Sequence, residues 1–350
     1  MTTTVTPDAG ATAPSPWAKV GAAVALLTVI ISILLIAFAW PSVRTSLHDV
    51  PIAVAGPAAA ADQVVAVLDQ RMPGGFDITR VADTSAAEEL IRDREVYGAI
   101  DFSSGTPQVI TASAGSASIA QTLQGVATAL GEAQSSGTAT KVAVRDIVAL
   151  PADDPRGAGL AAAGLPMVMG GMLAAVLLTN LLKGASRRVT GAVAFAVTGG
   201  LAMTAILQFW FGSLDGSYLA NAGAIALSTA AISLTLLGLE SLLGYAGFGI
   251  GAAVMMLVGN TLSGIGSAPQ MLPGWSGALG QLLPPGAGGQ LLRSTAYFDG
   301  HGAAHGLTVL LAWLAFGAVL CVAGSLRAGR RTPGAPATDA ASRPVTHATA

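Results

Sequence analysis

Charge is scarce in this 350-residue chain: Asp, Glu, Lys and Arg make up 10% of it, against about 25% in a soluble globular protein. Cysteine is scarcer still. The single Cys321 cannot pair within the chain, so no disulfide framework is available to any part that faces an oxidising compartment. Aromatic residues reach only 5% and the net charge is -2. That excludes the basic, aromatic-rich surface that nucleic acid requires. No Gly-x-x-x-x-Gly-Lys-Ser/Thr loop occurs, so the chain has no P-loop for nucleotide phosphates. Gly-x-Ser-x-Gly and His-Glu-x-x-His are missing as well, and no cluster of metal ligands stands out. The residues therefore suggest neither an enzyme nor a cofactor.

What the chain has instead is long uncharged runs, the pattern of bilayer-crossing helices. Val20 to Val43 carries no charge, and Trp17 and Trp40 bracket it as interfacial anchors. A cleavable signal peptide competes with an anchor helix here, because Ala37-Phe38-Ala39 resembles a cleavage site; the apolar run, about 20 residues, exceeds the usual 7–15 of a signal peptide. Further uncharged runs cover Gly157–Leu182, Val189–Leu214, Gly216–Leu239 and Ser241–Leu292. The last is too long for one crossing. Its first part, to Leu262, reads as a span, while Pro269, Pro273, Pro284 and Pro285 break the remainder. Backbone left unpaired in hydrocarbon is prohibitively costly, so residues 263–300 should lie at an interface or dip in against other helices. A last span covers Gly306–Leu326. The expectation is a polytopic α-helical membrane protein with about six transmembrane helices.

Residues 44–156 differ sharply and hold most of the acidic side chains. Strand patterns at PIAVAG, FDITRVA, YGAIDF and PQVITAS alternate with helical ones. Asp83 or Thr84 is placed to cap the helix running to about Val96. A long, small-residue helix is expected from Ser116 to Val148. This segment is an extracytoplasmic α/β domain inserted between helices 1 and 2, with tails at 1–18 and 328–350, a first helix at 19–43 and a transmembrane domain at 157–327. Orientation follows from Lys and Arg near span ends. Lys19, Lys183, Arg187, Arg188, Arg327, Arg330 and Arg331 fall on one side, and Arg293 alone among short connections on the other. The positive-inside rule then places both termini in the cytoplasm of a bacterial cell.

Few side chains suggest chemistry. His301 and His305, four apart with Asp299 nearby, have metal-ligand spacing, but also suit polar residues at a helix mouth. Glu240 is either a solvated loop carboxylate or an intramembrane proton relay. Lys183–Arg188 is either a topological anchor or a docking turn for a soluble partner. Gly199-Gly200 and Gly247, Gly249 and Gly251 allow close helix packing.

One anchor helix, a large external domain, five more spans and a Pro/Gly-rich segment before the last resemble the ABC-2 type transporter permeases, most nearly the YhgE/Pip-like branch. The resemblance is carried by Gly259-Asn260-Thr261-Leu262-Ser263-Gly264, by Leu272-Pro273-Gly274-Trp275, by Gly280-Gln281-Leu282-Leu283-Pro284-Pro285-Gly286-Ala287, and by Leu292-Arg293-Ser294 with Tyr297-Phe298. It implies a dimerising permease subunit, homodimeric or heterodimeric, in the lipid bilayer with a separately encoded ATP-binding subunit. Lys183, Arg187 and Arg188 would form the ATPase-coupling turn. Asn260, Pro273, Trp275, Pro284, Pro285 and Arg293 would belong to an outer exit segment. The substrate implied is hydrophobic or amphiphilic. The segment before Val20 lacks the amphipathic docking helix common in such permeases. A non-transporting membrane scaffold or receptor, whose external domain binds a secretion, cell-wall or phage partner, is the alternative.

Overall fold

The computed structural model describes residues 16–133 and 142–331. The chain opens with α1 (Trp17–Val43), then builds a sheet domain: β1 (Val50–Ala55), α2 (Ala58–Arg71), β2 (Phe76–Val81), α3 (Thr84–Arg92), β3 (Gly98–Asp101), β4 (Gln108–Thr111), α4 (Ala117–Ala133) and β5 (Ala143–Asp146). A helical bundle follows: α5 (Ala158–Leu181), α6 (Ala185–Ala205), α7 (Tyr218–Leu243), α8 (Tyr245–Ala253), α9 (Ser276–Gln281), α10 (Pro284–Tyr297) and α11 (Ala303–Arg331). The last turn of α6 and the continuation of α8 over Val254–Asn260 are wound as π-helix.

Among the described residues, five helices are long and apolar enough to cross a membrane. The protein is therefore a mostly helical chain with a small sheet, of the kind that inserts into membranes. The stretch expected to supply a further span, Ser241–Leu262, is broken at Gly244 and yields a shorter apolar helix, Tyr245–Asn260. Gly244 has φ 66, a conformation that ends α7 without Cβ strain. The bundle is built around α7. Within its most apolar stretch 78% of residues are buried, compared with 22% in α6 and α11. α1 is the opposite case: none of its apolar stretch is buried. A helix this apolar is stable only against hydrocarbon or another protein surface.

The sheet order is β2-β1-β3-β4-β5. β1 runs parallel to both β2 and β3, β4 runs antiparallel to β3, and β5 parallel to β4. Interior strand β1 is nearly all apolar because both its faces are covered. Ile52 and Val54 meet α2 and α4 on one face, and Ala53 and Ala55 meet α3 on the other. The sequence pattern alone misplaced one element. The helix expected to reach Val148 is described as far as Ala133, and Ala143–Asp146 within the expected range form edge strand β5 instead. All four β5 residues are exposed, so they show none of the half-buried alternation that marks a strand. Residues 134–141 between them lie outside those described, as do most of the two expected tails; α1 starts at Trp17 and α11 continues to Arg331.

Caps fix the joins. Asp83, not Thr84, caps α3 by accepting from the Ala86 N–H at 2.9 Å. Buried Asp154 accepts from the Ala158 and Gly159 N–H groups at 2.8 and 2.7 Å, starting α5. Asp101 ends β3 fully buried and accepts from Thr84, Ser103 and Gln108. Burial pushes its carboxyl up, and these hydrogen bonds outweigh it, leaving it below the usual value of 3.8. The depressed value means that Asp101 stabilises the fold above pH 3.8 and that this contribution is lost as pH falls below it. Asp101→Asn should lower the melting temperature at neutral pH and flatten the acid limb of the pH–stability curve, measured by thermal unfolding in detergent.

Candidate functional site: the two ends of the helical bundle

α5 spans about 36 Å, from 24 residues at 1.5 Å each, and separates two polar clusters. One surrounds the α5–α6 turn, and the other joins the bundle to the sheet domain. Lys19, Lys183, Arg187, Arg188, Arg327 and Arg330 all belong to the end away from the sheet, by their positions in α1, α5–α6 and α11.

At the turn end the three candidate coupling residues are not equivalent. Lys183 and Arg187 are exposed. Arg188 folds back, donating to the Leu182 carbonyl at 2.9 Å and the Thr179 carbonyl at 3.0 Å. These are last-turn carbonyls of α5, where a cation is favoured. Its remaining nitrogen pairs with Glu240 at 3.2 Å, and both side chains are mostly covered. Glu240 is therefore neither a free loop carboxylate nor an isolated acid in hydrocarbon: it sits in the last turn of α7 and ties α7 to α5 and α6. Gly238 and Gly324 let α11 approach this end closely, and Ser241 donates to the Leu320 carbonyl at 3.3 Å.

At the sheet end, residues 263–300 turn back into the bundle. Gly280 and Gly277 make this possible. A Cβ on Gly280 would lie 1.7 Å from the Leu262 carbonyl oxygen, and one on Gly277 2.0 Å from that of Pro269. α10 is buried along most of its length, Pro284 and Pro285 included, against α5, α7 and α11. Gln281 donates to the Ser263 carbonyl at 2.8 Å, and Trp313 of α11 to the Leu282 carbonyl at 2.8 Å. These bonds supply partners to a broken backbone that the sequence could only require to be satisfied. Asn260 and Pro273 are half-buried, while Trp275 is 71% exposed.

Arg293 is the hub of this end. It is 5% exposed and donates to the carbonyls of Gly115, Ile265 and Ser267, the last two at 2.6 and 3.1 Å. One side chain thus joins α10, the 263–268 loop and the sheet domain. Its Nε lacks a protein acceptor, and the residue borders a cavity of about 20 Å³, room for one water. Arg94 completes the join from the other side. It donates to Gln290 Oε1 at 2.6 Å, to the Gln290 carbonyl at 3.1 Å and to Ser294 Oγ, and lies over the Phe298 ring at 5.1 Å. Burial, and then the Arg293 guanidinium, lower Arg94 to about 10, so it stays charged at neutral pH. Tyr97 donates to Gln270 at 2.8 Å. Phe298 fills the α3 face of the sheet, while Ala268 and Met271 fill the α2–α4 face.

The sequence pointed to Arg293 but not to Arg94. Its φ of 64, beyond the end of α3, turns it towards α10. His301 does not join His305. It bonds Asp93 at 2.5 Å, a further tie between sheet domain and bundle. Among the described residues no group of three potential ligands could hold a metal. No protein-family model matches this chain, and neither does any curated protein or solved structure.

Replacing Arg293 by Met would strand three carbonyls in the interior, at a cost of at least about 3 kcal/mol. The expected result is a lowered unfolding temperature and new protease sensitivity in residues 261–275. Gly280→Ala should fail to fold, because the clash is with backbone. Gly125→Ala should be tolerated, since nothing lies within 4 Å of a Cβ there.

Proposed function

We propose that this chain is the permease subunit of an exporter of the ABC-2 type, in the YhgE/Pip-like branch, moving a hydrophobic or amphiphilic molecule outward across a bacterial cytoplasmic membrane. The resemblance of the 259–298 motifs supports the family. One observation supports the mechanism: α7 is the buried core of the bundle, tied in its last turn by Glu240 to Arg188 at 3.2 Å and near its middle by the Ser228 hydroxyl to the Pro284 carbonyl at 3.4 Å. A push on the α5–α6 turn is thereby transmitted along a rigid, close-packed element to the segment bolted onto the sheet domain.

In this reading the positive-inside rule puts the α5–α6 turn in the cytoplasm and the sheet domain outside. Tyr245–Asn260 supplies the sixth crossing. Its 16 residues span about 24 Å, slightly less than the hydrocarbon thickness of about 30 Å. A separately encoded ATPase docks at Lys183 and Arg187, whose side chains are exposed, while Arg188 holds the turn rigid from within. The bare apolar length of α1 is the surface through which two permease subunits meet. Rocking of the paired bundles then opens the site alternately to each side, with Asn260, Pro273, Trp275, Pro284, Pro285 and Arg293 in the segment that caps the exit.

The test is a mild-detergent purification of the native complex, with mass spectrometry and an ATPase assay on the eluate. A P-loop ATPase should co-purify in near-equal amount and be lost in Lys183→Glu/Arg187→Glu, with the unfolding temperature of the chain unchanged. Charge reversal at Arg188 should instead destabilise the chain itself. If an envelope or secretion protein co-purifies and no ATPase does, the exporter reading fails and the chain is a membrane receptor or scaffold.

A further inference from the structure

The sheet domain contains a groove that the transport reading does not use. α2 and α4 lie side by side on one face of the sheet, and a groove runs between them above the buried strands. The groove holds about 580 Å³, within the range of small-molecule sites. Val64, Val67, Leu68, Val126 and Leu130 form its walls, with Phe102 at one end. Three polar side chains reach it, Gln63, Thr122 and Arg71, and Arg71 is the only charged one.

The polarity of the groove follows from the sheet register. β1 begins beside the end of α1, and α2 returns antiparallel to it, so Arg71 and Met72 sit at the end where α1 enters the domain. Met72 there packs into the same cluster as Leu47 and Met271. β4 runs antiparallel to β3, so Thr122, early in α4, lies at that same end, while Ala129 and Leu130 lie at the other. Arg71 has no ion-pair partner among the described residues. The groove thus has an apolar trough and one uncompensated cation, placed where the domain meets α1.

We propose that this groove binds a single-chain anionic amphiphile, its alkyl chain between α2 and α4 and its carboxylate or phosphate on Arg71 beside Thr122. The chemistry is that of a long-chain fatty acid or a lysophospholipid. An apolar chain gains by displacing water from the trough, and a single mobile anion complements a single cation without a second buried charge. Gly125 lines the trough, and a Cβ there would meet nothing within 4 Å. This is a binding property of the sheet domain and holds whether or not the chain exports anything.

The experiment uses the full chain in lipid nanodiscs. Palmitate carrying a photoreactive diazirine is added, cross-linked, and mapped by mass spectrometry, with unlabelled palmitate, lysophosphatidate and hexadecanol as competitors. Label should fall on residues 60–72 and 122–130 and be competed by both anions better than by the neutral alcohol. Gly125→Trp, which fills the trough without a backbone clash, should reduce this label at least about tenfold. Arg71→Gln should weaken palmitate about three- to fivefold and leave hexadecanol unchanged, as suits one solvent-accessible ion pair. Preference for palmitate over lysophosphatidate, or the reverse, identifies the head group. Label confined to the membrane-type helices, or label insensitive to Gly125→Trp, overturns the proposal. So does protection of the groove by residues 134–141 or by a second copy of the chain, seen as protein–protein cross-links from α2 or α4. None of these readouts depends on a co-purifying ATPase, so the proposal and the exporter reading fail separately.

Discussion

Arg293 is a cation held in the interior by backbone carbonyls alone. Such a group is costly to bury and costlier to leave unbonded, so the two segments that supply its three acceptors, the turn at Gly115 and the loop holding Ile265 and Ser267, must be in place together. The placement of the sheet domain on the bundle follows from this requirement. Arg94 strengthens the same join with bonds to Gln290 and Ser294 and its position over Phe298. The result is a domain that is not tethered by linkers but shares its two hydrophobic faces with the 263–300 segment.

The same logic governs the other end of the bundle. Arg188 takes acceptors from the end of α5 and a counter-charge from α7. Both ends thus use an arginine to gather carbonyls that helix breaks leave free. They differ in electrostatics. Arg188 has a carboxylate partner and a side chain 27% exposed, whereas Arg293 is 5% exposed and meets no carboxylate among the described residues. α7 runs between the two, buried along most of its apolar length.

Much of this was readable in the residues. The uncharged runs located α1, α5, α6, α7 and α11 to within a few residues, because length and hydropathy are one-dimensional properties of a membrane helix. β1 to β4 and α2 to α3 followed from alternation and from the Asp83 cap. Edge strand β5 did not, since its residues are exposed on both faces and carry no burial pattern. Nor did the short Tyr245–Asn260 helix: an apolar run reports composition, and only the φ of Gly244 and the π-wound turns shorten it.

The candidate residues divide in the same way. The sequence by itself determined that the chain is apolar, helical and broken at 263–300, and that a separate charged domain precedes the bundle. It also singled out the turn Lys183–Arg188, Glu240 and Arg293 as the few charges between long apolar runs. Only the tertiary structure decided what they do. Whether Glu240 is a relay, a loop carboxylate or a salt-bridge partner depends on the distance to a residue 52 positions away. Whether Arg94 faces water or α10 depends on one positive φ and on a contact 200 positions away. The groove between α2 and α4 is likewise invisible in sequence, because it is made by the spacing of two helices over a shared sheet. Local pattern specifies each element, but partners across the chain are set by the packing that brings elements together.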